Sequence, residues 1–231
     1  MPNSAVRQTQ NPQIPTLPSS IPTPDISKWD QEKQLLSGPM PVRMTNDFMF
    51  KYSLQNNPYG LKGFLAAVLS IDAETIQTIL IQNPIMPGDV LDDKTFILDI
   101  RLLLNDQTMI DIEMQVAMQI FFPERALLYL CRSFDQLKAG EDYENIKPCI
   151  QISIVERELF QKDDSRYTDA FFSHYVMREK TSGKEYSDKF QLLVLSLKNL
   201  ENAINKEQPN WSLPMGKALY RNYMGGYQDD C

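Results

Sequence analysis

The feature that most constrains this chain is a pair of alternating runs in its middle, "FILDIRLLL" and "MIDIEMQVA", joined by the polar turn "NDQT". A period of two is the signature of a strand, and successive side chains then point to opposite faces. The spacing predicts strands over about 95–104 and 109–117 that form a hairpin. Phe96, Leu98, Ile100 and Leu102 share one apolar face, as do Ile110, Ile112, Met114 and Val116. The opposite faces carry Asp99 and Arg101 on the first strand, and Asp111, Glu113 and Gln115 on the second. A charge in a half-buried strand is costly unless compensated. These carboxylates therefore lie on a solvated face, with an ion pair to Arg101, or they hold a cation.

Register decides whether the acids meet. A three-residue loop at Asp106 to Thr108 sets Asp99 opposite Gln115 and Glu113 opposite Arg101, all on one face. A two-residue loop would put Asp99 on the face opposite Glu113 and expose one apolar set to water. Core burial thus favours the odd loop, with Asp99 and Glu113 converging. Two hard oxygen ligands suit Mg²⁺ or Mn²⁺, which complete their shells with water and phosphate oxygens. Such an ion polarises a phosphoryl oxygen and lowers the pKa of a bound water, the chemistry of phosphodiester hydrolysis.

Around the hairpin, Thr45 or Asn46 is placed to cap a helix bearing Phe48, Met49 and Tyr52 at helical spacing. A second helix opens at Pro58, and "TIQTILIQ" favours a strand. "PERALLYLCRSFDQLKAG" reads as an amphipathic helix closed by Gly140. Its Ala126, Leu127, Leu130, Cys131 and Phe134 are expected on the sheet, while Arg125, Tyr129 and Arg132 form a second stripe at i, i+4 and i+7. "KPCIQISIVE" reads as a buried strand, and "DAFFSHYVMREK" and "DKFQLLVLSLK" as two more around the turn "TSGKEYS". The predicted class is α/β, one central mixed β-sheet flanked by helices. Residues 1–42, rich in Pro, Ser and Thr, are expected to be a disordered segment; 43–200 form the domain; 201–231 are an extension with weak periodicity.

Composition narrows the function. A single histidine, His174, and three cysteines without CxxC spacing exclude a His-rich zinc site and a zinc ribbon. His174 is expected to be structural or on the surface. A net charge of −7 argues against broad salt-driven nucleic-acid binding, so any DNA contact must be concentrated on one face. No apolar run reaches the roughly 18–20 residues of a membrane span, and no membrane partner is expected. The N-terminus lacks the apolar centre of a signal peptide.

The pattern "ILDI…IDIEMQ" resembles the PD-(D/E)XK nuclease superfamily, and more fully its Rpn family of recombination-promoting nucleases and transposases. "TNDFMFKYSL", "DDKTFILDI", "ERALLYLCRSFDQLKAGEDY" and "IKPCIQISIVERELF" resemble that branch in order, over roughly 43–200. The resemblance implies a restriction-endonuclease-like core and a Mg²⁺-dependent DNA endonuclease of recombination or transposition, in a bacterial cytoplasm. It implies that Asp99 and Glu113 ligate the metal, with Asp47 on the opening helix as a third acid. Gln115 would stand where the wider superfamily keeps a Lys. The Arg125, Tyr129 and Arg132 stripe, with Lys94, would contact DNA phosphates. Oligomeric state is not set by the sequence, which admits a dimer. Two rivals are a non-cleaving binding module on the same fold, and a protein-interaction scaffold using the Pro-rich arm.

Overall fold

The computed structural model describes residues 46–86, 96–116, 121–200 and 203, with the side chains of Asp47 and Phe96 excepted. The Pro-rich segment, Lys94, Thr45 and all of the C-terminal extension except Ala203 lie outside these residues.

Two helices open the described chain. Helix α1 (Asp47–Asn56) is capped by Asn46, whose Oδ1 accepts from the Met49 amide at 3.1 Å. Helix α2 (Pro58–Leu69) starts with Pro at its first turn and is capped by Asn57. On α1, Phe48 and Tyr52 are exposed and stack on each other, while Phe50 is buried. At about 100° per residue, Phe48 and Tyr52 each lie roughly half a turn from Phe50, so the side that buries Phe50 leaves that pair in solvent.

The strands are β1 (Ile79–Gln82), β2 (Ile85–Met86), β3 (Phe96–Ile97), β4 (Ile100–Leu104), β5 (Thr108–Gln115), β6 (Cys149–Val155), β7 (Phe172–Arg178) and β8 (Glu185–Ser196). Among the described residues six of them form one mixed sheet in the order β1-β4-β5-β6-β8-β7; β2 and β3 pair separately. The β1-β4-β5 end and the β8-β7 edge are antiparallel, whereas β5, β6 and β8 run parallel. A parallel step needs a long crossover. Between β5 and β6 it contains helix α3 (Phe122–Phe134).

One sheet face is wholly apolar and packs on α1 and α2. Ile100, Leu102, Ile110, Ile112, Ile152 and Ile154 are fully buried there, with Leu61, Phe64 and Leu65 from α2. Each such side chain is worth about 1.5–3 kcal/mol of transfer free energy, so this layer anchors the sheet. The other face lies under α3 and mixes apolar residues (Leu103, Met109 and Cys149, packed on Leu130 of α3) with buried polar ones. Strand β6 is consequently buried along its whole length.

The hairpin differs from expectation in register. Leu104 pairs with Thr108, so the three-residue loop is Asn105 to Gln107, one position earlier, and Arg101 faces Asp111. Asn105 and Asp106 both take left-handed backbone (φ 50° and 56°), which these residue types tolerate best after Gly. The Asn105 side chain is recruited as well. Its Oδ1 accepts from the Gln77 and Thr78 amides and its Nδ2 donates to Thr75 O, which docks the approach to β1. The loop length stays odd, so the facing argument survives although each pairing shifts by two.

Helix α3 ends at Phe134 rather than near Gly140. Beyond its end the Gln136 amide donates to Ser133 O and Lys147 O, tying the chain down toward β6. Gly140 sits in a later turn at φ 89°. His174, on edge strand β7, is exposed and contacts Gln191 at 2.8 Å, a surface residue as expected.

Candidate metal centre

Asp99 occupies a bend between β3 and β4, where the chain leaves the ladder. Its Oδ2 accepts from the Met114 amide of β5 at 2.7 Å. The carboxylate thus replaces a backbone acceptor and is fixed beside β5. Asp99 precedes Ile100, whose ladder partner Ile112 is the neighbour of Glu113. Its charge acts on Glu113 directly.

Glu113 is buried, 3% exposed, on the face under α3. Its Oε1 lies 2.6 Å from the Arg125 guanidinium of α3. Burial nevertheless wins over that attraction and pushes its pKa from 4.5 up to about 7, with Asp99 adding to the rise. Two residues earlier, Asp111 is 1% exposed and is likewise raised by burial, to about 6, against Arg101 and Ser133. Ser133 of α3 donates to Asp111 Oδ2, and Arg101 Nε stands 3.9 Å from Oδ1. Each acid is therefore faced by a base from a different element: Lys51 of α1 on Asp99 at 3.0 Å, Arg101 of β4 on Asp111, and Arg125 of α3 on Glu113.

Beneath α3 lies a slot of unsatisfied polar atoms. Among the described residues, the buried side-chain atoms without a hydrogen-bond partner are Asp111 Oδ1, Glu113 Oε2, both amide atoms of Gln151, and Ser153 Oγ. All four residues sit on neighbouring strands of one face, Asp111 beside Gln151 and Glu113 beside Ser153. An orphaned buried polar group costs about 1–3 kcal/mol. Such a concentration is where a ligand or water belongs.

Among the described residues no group of three or more His, Cys, Asp or Glu stands together as a ready-made metal cage. The set that does meet is two carboxylates with one orphaned oxygen, Glu113 Oε2. This fits a hard divalent ion whose remaining positions are filled by water and substrate phosphate, and not a closed all-protein site.

The structure brings together Asp99, Glu113, Gln115 and Arg125; Arg125 Nη1 lies 3.5 Å from Gln115 Oε1. Tyr129 turns inward, 6% exposed, accepting from Arg125 Nε at 3.1 Å, with the guanidinium over its ring. This corrects the expected packing of α3, whose buried stripe is Phe122, Ala126, Tyr129, Leu130 and Ser133. Leu127 and Cys131 face outward instead. The helix is turned so that Arg125 and Ser133 meet the sheet's acids, and the ion pair and hydrogen bond select that face. Arg132 stands 3.9 Å from Asp135, one turn on. Asp47 opens α1, but its side chain is outside the described residues, as is Lys94.

Sequence reasoning missed Lys51, Gln151, Ser153 and Ser133. For Gln151 and Ser153 a signal existed: "CIQISIV" places two polar residues at the same period as the acids of β5. For Lys51 and Ser133 only the docking of helices on the sheet shows the contact.

Residues 44–214 match the family described as PD-(D/E)XK nuclease family transposase. The chain belongs to that family. No curated protein and no solved structure matches it. Membership carries with it a nuclease or transposase-related role, a DNA substrate class and the general use of divalent metals in that family, in accord with the mixed sheet and flanking helices. Among the described residues no helix is long and apolar enough to cross a membrane.

Proposed function

We propose that this PD-(D/E)XK family member is a divalent-metal-dependent DNA endonuclease acting in recombination or transposition, with Mg²⁺ as its ion and Mn²⁺ as a substitute. The observation that carries this reading is the proximity of Asp99, bound to the Met114 amide of β5, to Glu113, whose Oε2 is buried and unpartnered. Asp99 and Glu113 would hold the ion, and Asp47 at the start of α1 is proposed as a third acid. When bound, the ion would supply a Lewis acid and an acidified water for phosphodiester hydrolysis.

The chain's own residues complete the arrangement. Gln115, where the wider superfamily keeps a Lys, orients water through its amide and adds no charge. Arg125 supplies positive charge from α3, held in place by Tyr129. Arg132 and Lys94 are proposed as outer phosphate contacts, whose effect is on affinity. A second reading, a nuclease-fold module that binds without cleaving, is favoured by the neutral Gln115 and by the bases already facing each acid.

Plasmid nicking in Mg²⁺, Mn²⁺, Ca²⁺ and EDTA separates the two, run beside Asp99→Ala and Glu113→Ala. Cleavage that requires Mg²⁺ or Mn²⁺ and disappears in both variants is expected. Absence of cleavage in every metal, with DNA affinity retained in both variants, would establish the binding module instead.

A further inference from the structure

Along the seam between β5 and β6, beneath α3, buried polar atoms stand together without protein partners. Among the described residues these are Asp111 Oδ1, Glu113 Oε2, both amide atoms of Gln151 and Ser153 Oγ. Gln151 and Ser153 are fully buried, and Asp111 and Glu113 nearly so. The parallel ladder sets Asp111 beside Gln151 and Glu113 beside Ser153, which makes two neighbouring rows on one face. On its other flank β6 pairs with β8, where Gln151 adjoins Leu192 and Ser153 adjoins Val194. Those side chains carry no polar atom, so the polar neighbours of Gln151 and Ser153 in the ladder lie on the β5 side. The buried stripe of α3 that covers this face includes the small side chains of Ala126 and Ser133.

We propose that this seam is a closed hydration site: internal water joins Gln151 and Ser153 to the unpartnered oxygens of Asp111 and Glu113, and so fixes the Glu113 carboxylate. The mixture of orphaned groups selects the ligand. Gln151 Nε2 is a donor, Gln151 Oε1 and the carboxylate oxygens are acceptors, and Ser153 Oγ is both. A cation would satisfy the oxygens and leave the amide N–H unpaired, whereas an anion would meet two carboxylates. Water donates and accepts, and the two to four polar partners that an internal water requires are at hand. The role toward Glu113 rests on the nuclease reading. A carboxylate oxygen has two lone-pair sites, so Glu113 Oε2 takes water on its inner side and an ion on the other. Gln151 and Ser153, too deep to touch substrate, are then positioning residues whose effect passes through water to the metal ligand.

The test uses the full chain, its Gln151→Met and Ser153→Ala variants and, as a control for lost stability, Leu65→Ala in the layer on the opposite sheet face. Magnetic relaxation dispersion of water oxygen counts long-lived internal water in the metal-free proteins. Urea unfolding reads stability, and calorimetry reads Mn²⁺ affinity. Wild type should hold at least one long-lived water that Gln151→Met lacks and Leu65→Ala keeps. The sign of the stability change separates the alternatives. With water in the seam, Gln151→Met strands its partners, and the urea midpoint falls by about 0.5–1 M. Without water, the same change only removes unpaired buried groups, and the midpoint rises. Ser153→Ala, the smaller change, carries the same test if Gln151→Met does not fold. It should also weaken Mn²⁺ binding about tenfold, while Leu65→Ala leaves that affinity unchanged. An equal water count in wild type and Gln151→Met, or a raised midpoint in both seam variants, would overturn the hydration site whatever the metal does. Unchanged Mn²⁺ affinity in Ser153→Ala would overturn its positioning role. Failure of folded wild type to bind Mn²⁺ would instead sink the metal reading, with water count and midpoints still deciding the hydration site.

Discussion

Replacing Glu113 with Gln is expected to make metal-free stability less dependent on pH. The side chain is buried beneath α3, and its pKa rises from 4.5 to about 7 on folding because burial outweighs the Arg125 ion pair. Between those values the folded protein holds a proton that the unfolded chain has released. Stability from this group is therefore fully present below pH 4.5 and is lost as pH rises to about 7. A rise from 4.5 to about 7 corresponds to about 3 kcal/mol in total. Most of that, about 2–3 kcal/mol, falls between about pH 5 and about pH 8. The amide of Gln cannot ionise, so Glu113→Gln should gain about 2–3 kcal/mol on wild type across that interval. Asp111 titrates in both proteins and cancels to first order. Urea unfolding in EDTA at the two pH values reads this as a relative midpoint shift of about 1 M. Parallel pH curves for the two proteins would refute the argument, since they would mean that Glu113 is already stabilised as an anion by Arg125.

Arg101→Met should destabilise the protein by about 3 kcal/mol at pH 8, because it leaves the buried Asp111 charge uncompensated. The loss should shrink below pH 6, where Asp111, raised to about 6, is protonated; thermal melts at both pH values check this. Ile112→Ala, in the fully buried layer against α2, should cost about 2–5 kcal/mol in the same assay without altering pH dependence. Asn105→Ala removes a left-handed-tolerant residue and three hydrogen bonds to the approach of β1, and should cost about 1–3 kcal/mol. Hydrogen exchange should localise its effect to β1 and the hairpin, where uniform loosening would contradict the assignment.

The α/β class, the hairpin, the buried β6 and the β7–β8 pair were legible because each depends on local periodicity, whereas Leu98, expected beside Ile100 and Leu102, packs instead with Tyr129 across the bend at Asp99. Parity placed Asp111, Glu113 and Gln115 on one side of β5, whereas Asp99 reaches Glu113 from a bend outside the ladder, fixed there by the Met114 amide. The register itself was misread by two. The sequence does not announce that Asn105 and Asp106 both take left-handed backbone. Helix α3 was misread in rotation because Leu127 and Cys131 look more apolar than Tyr129 and Ser133. Hydrophobicity ranks faces by transfer energy, whereas the fold chose the face that pairs Arg125 and Ser133 with buried acids.

By itself, then, the sequence determined which residues alternate, which faces can be buried and which carboxylates share a face, since these follow from backbone geometry within one hairpin. Only the tertiary structure decided that Glu113 keeps an open oxygen, that Asp99 is held by a backbone amide and by Lys51, and that Gln151 and Ser153 line the same slot. Those facts depend on helices from distant segments docking on the sheet. The selection is made by burial and charge pairing across tens of residues, which no local pattern encodes.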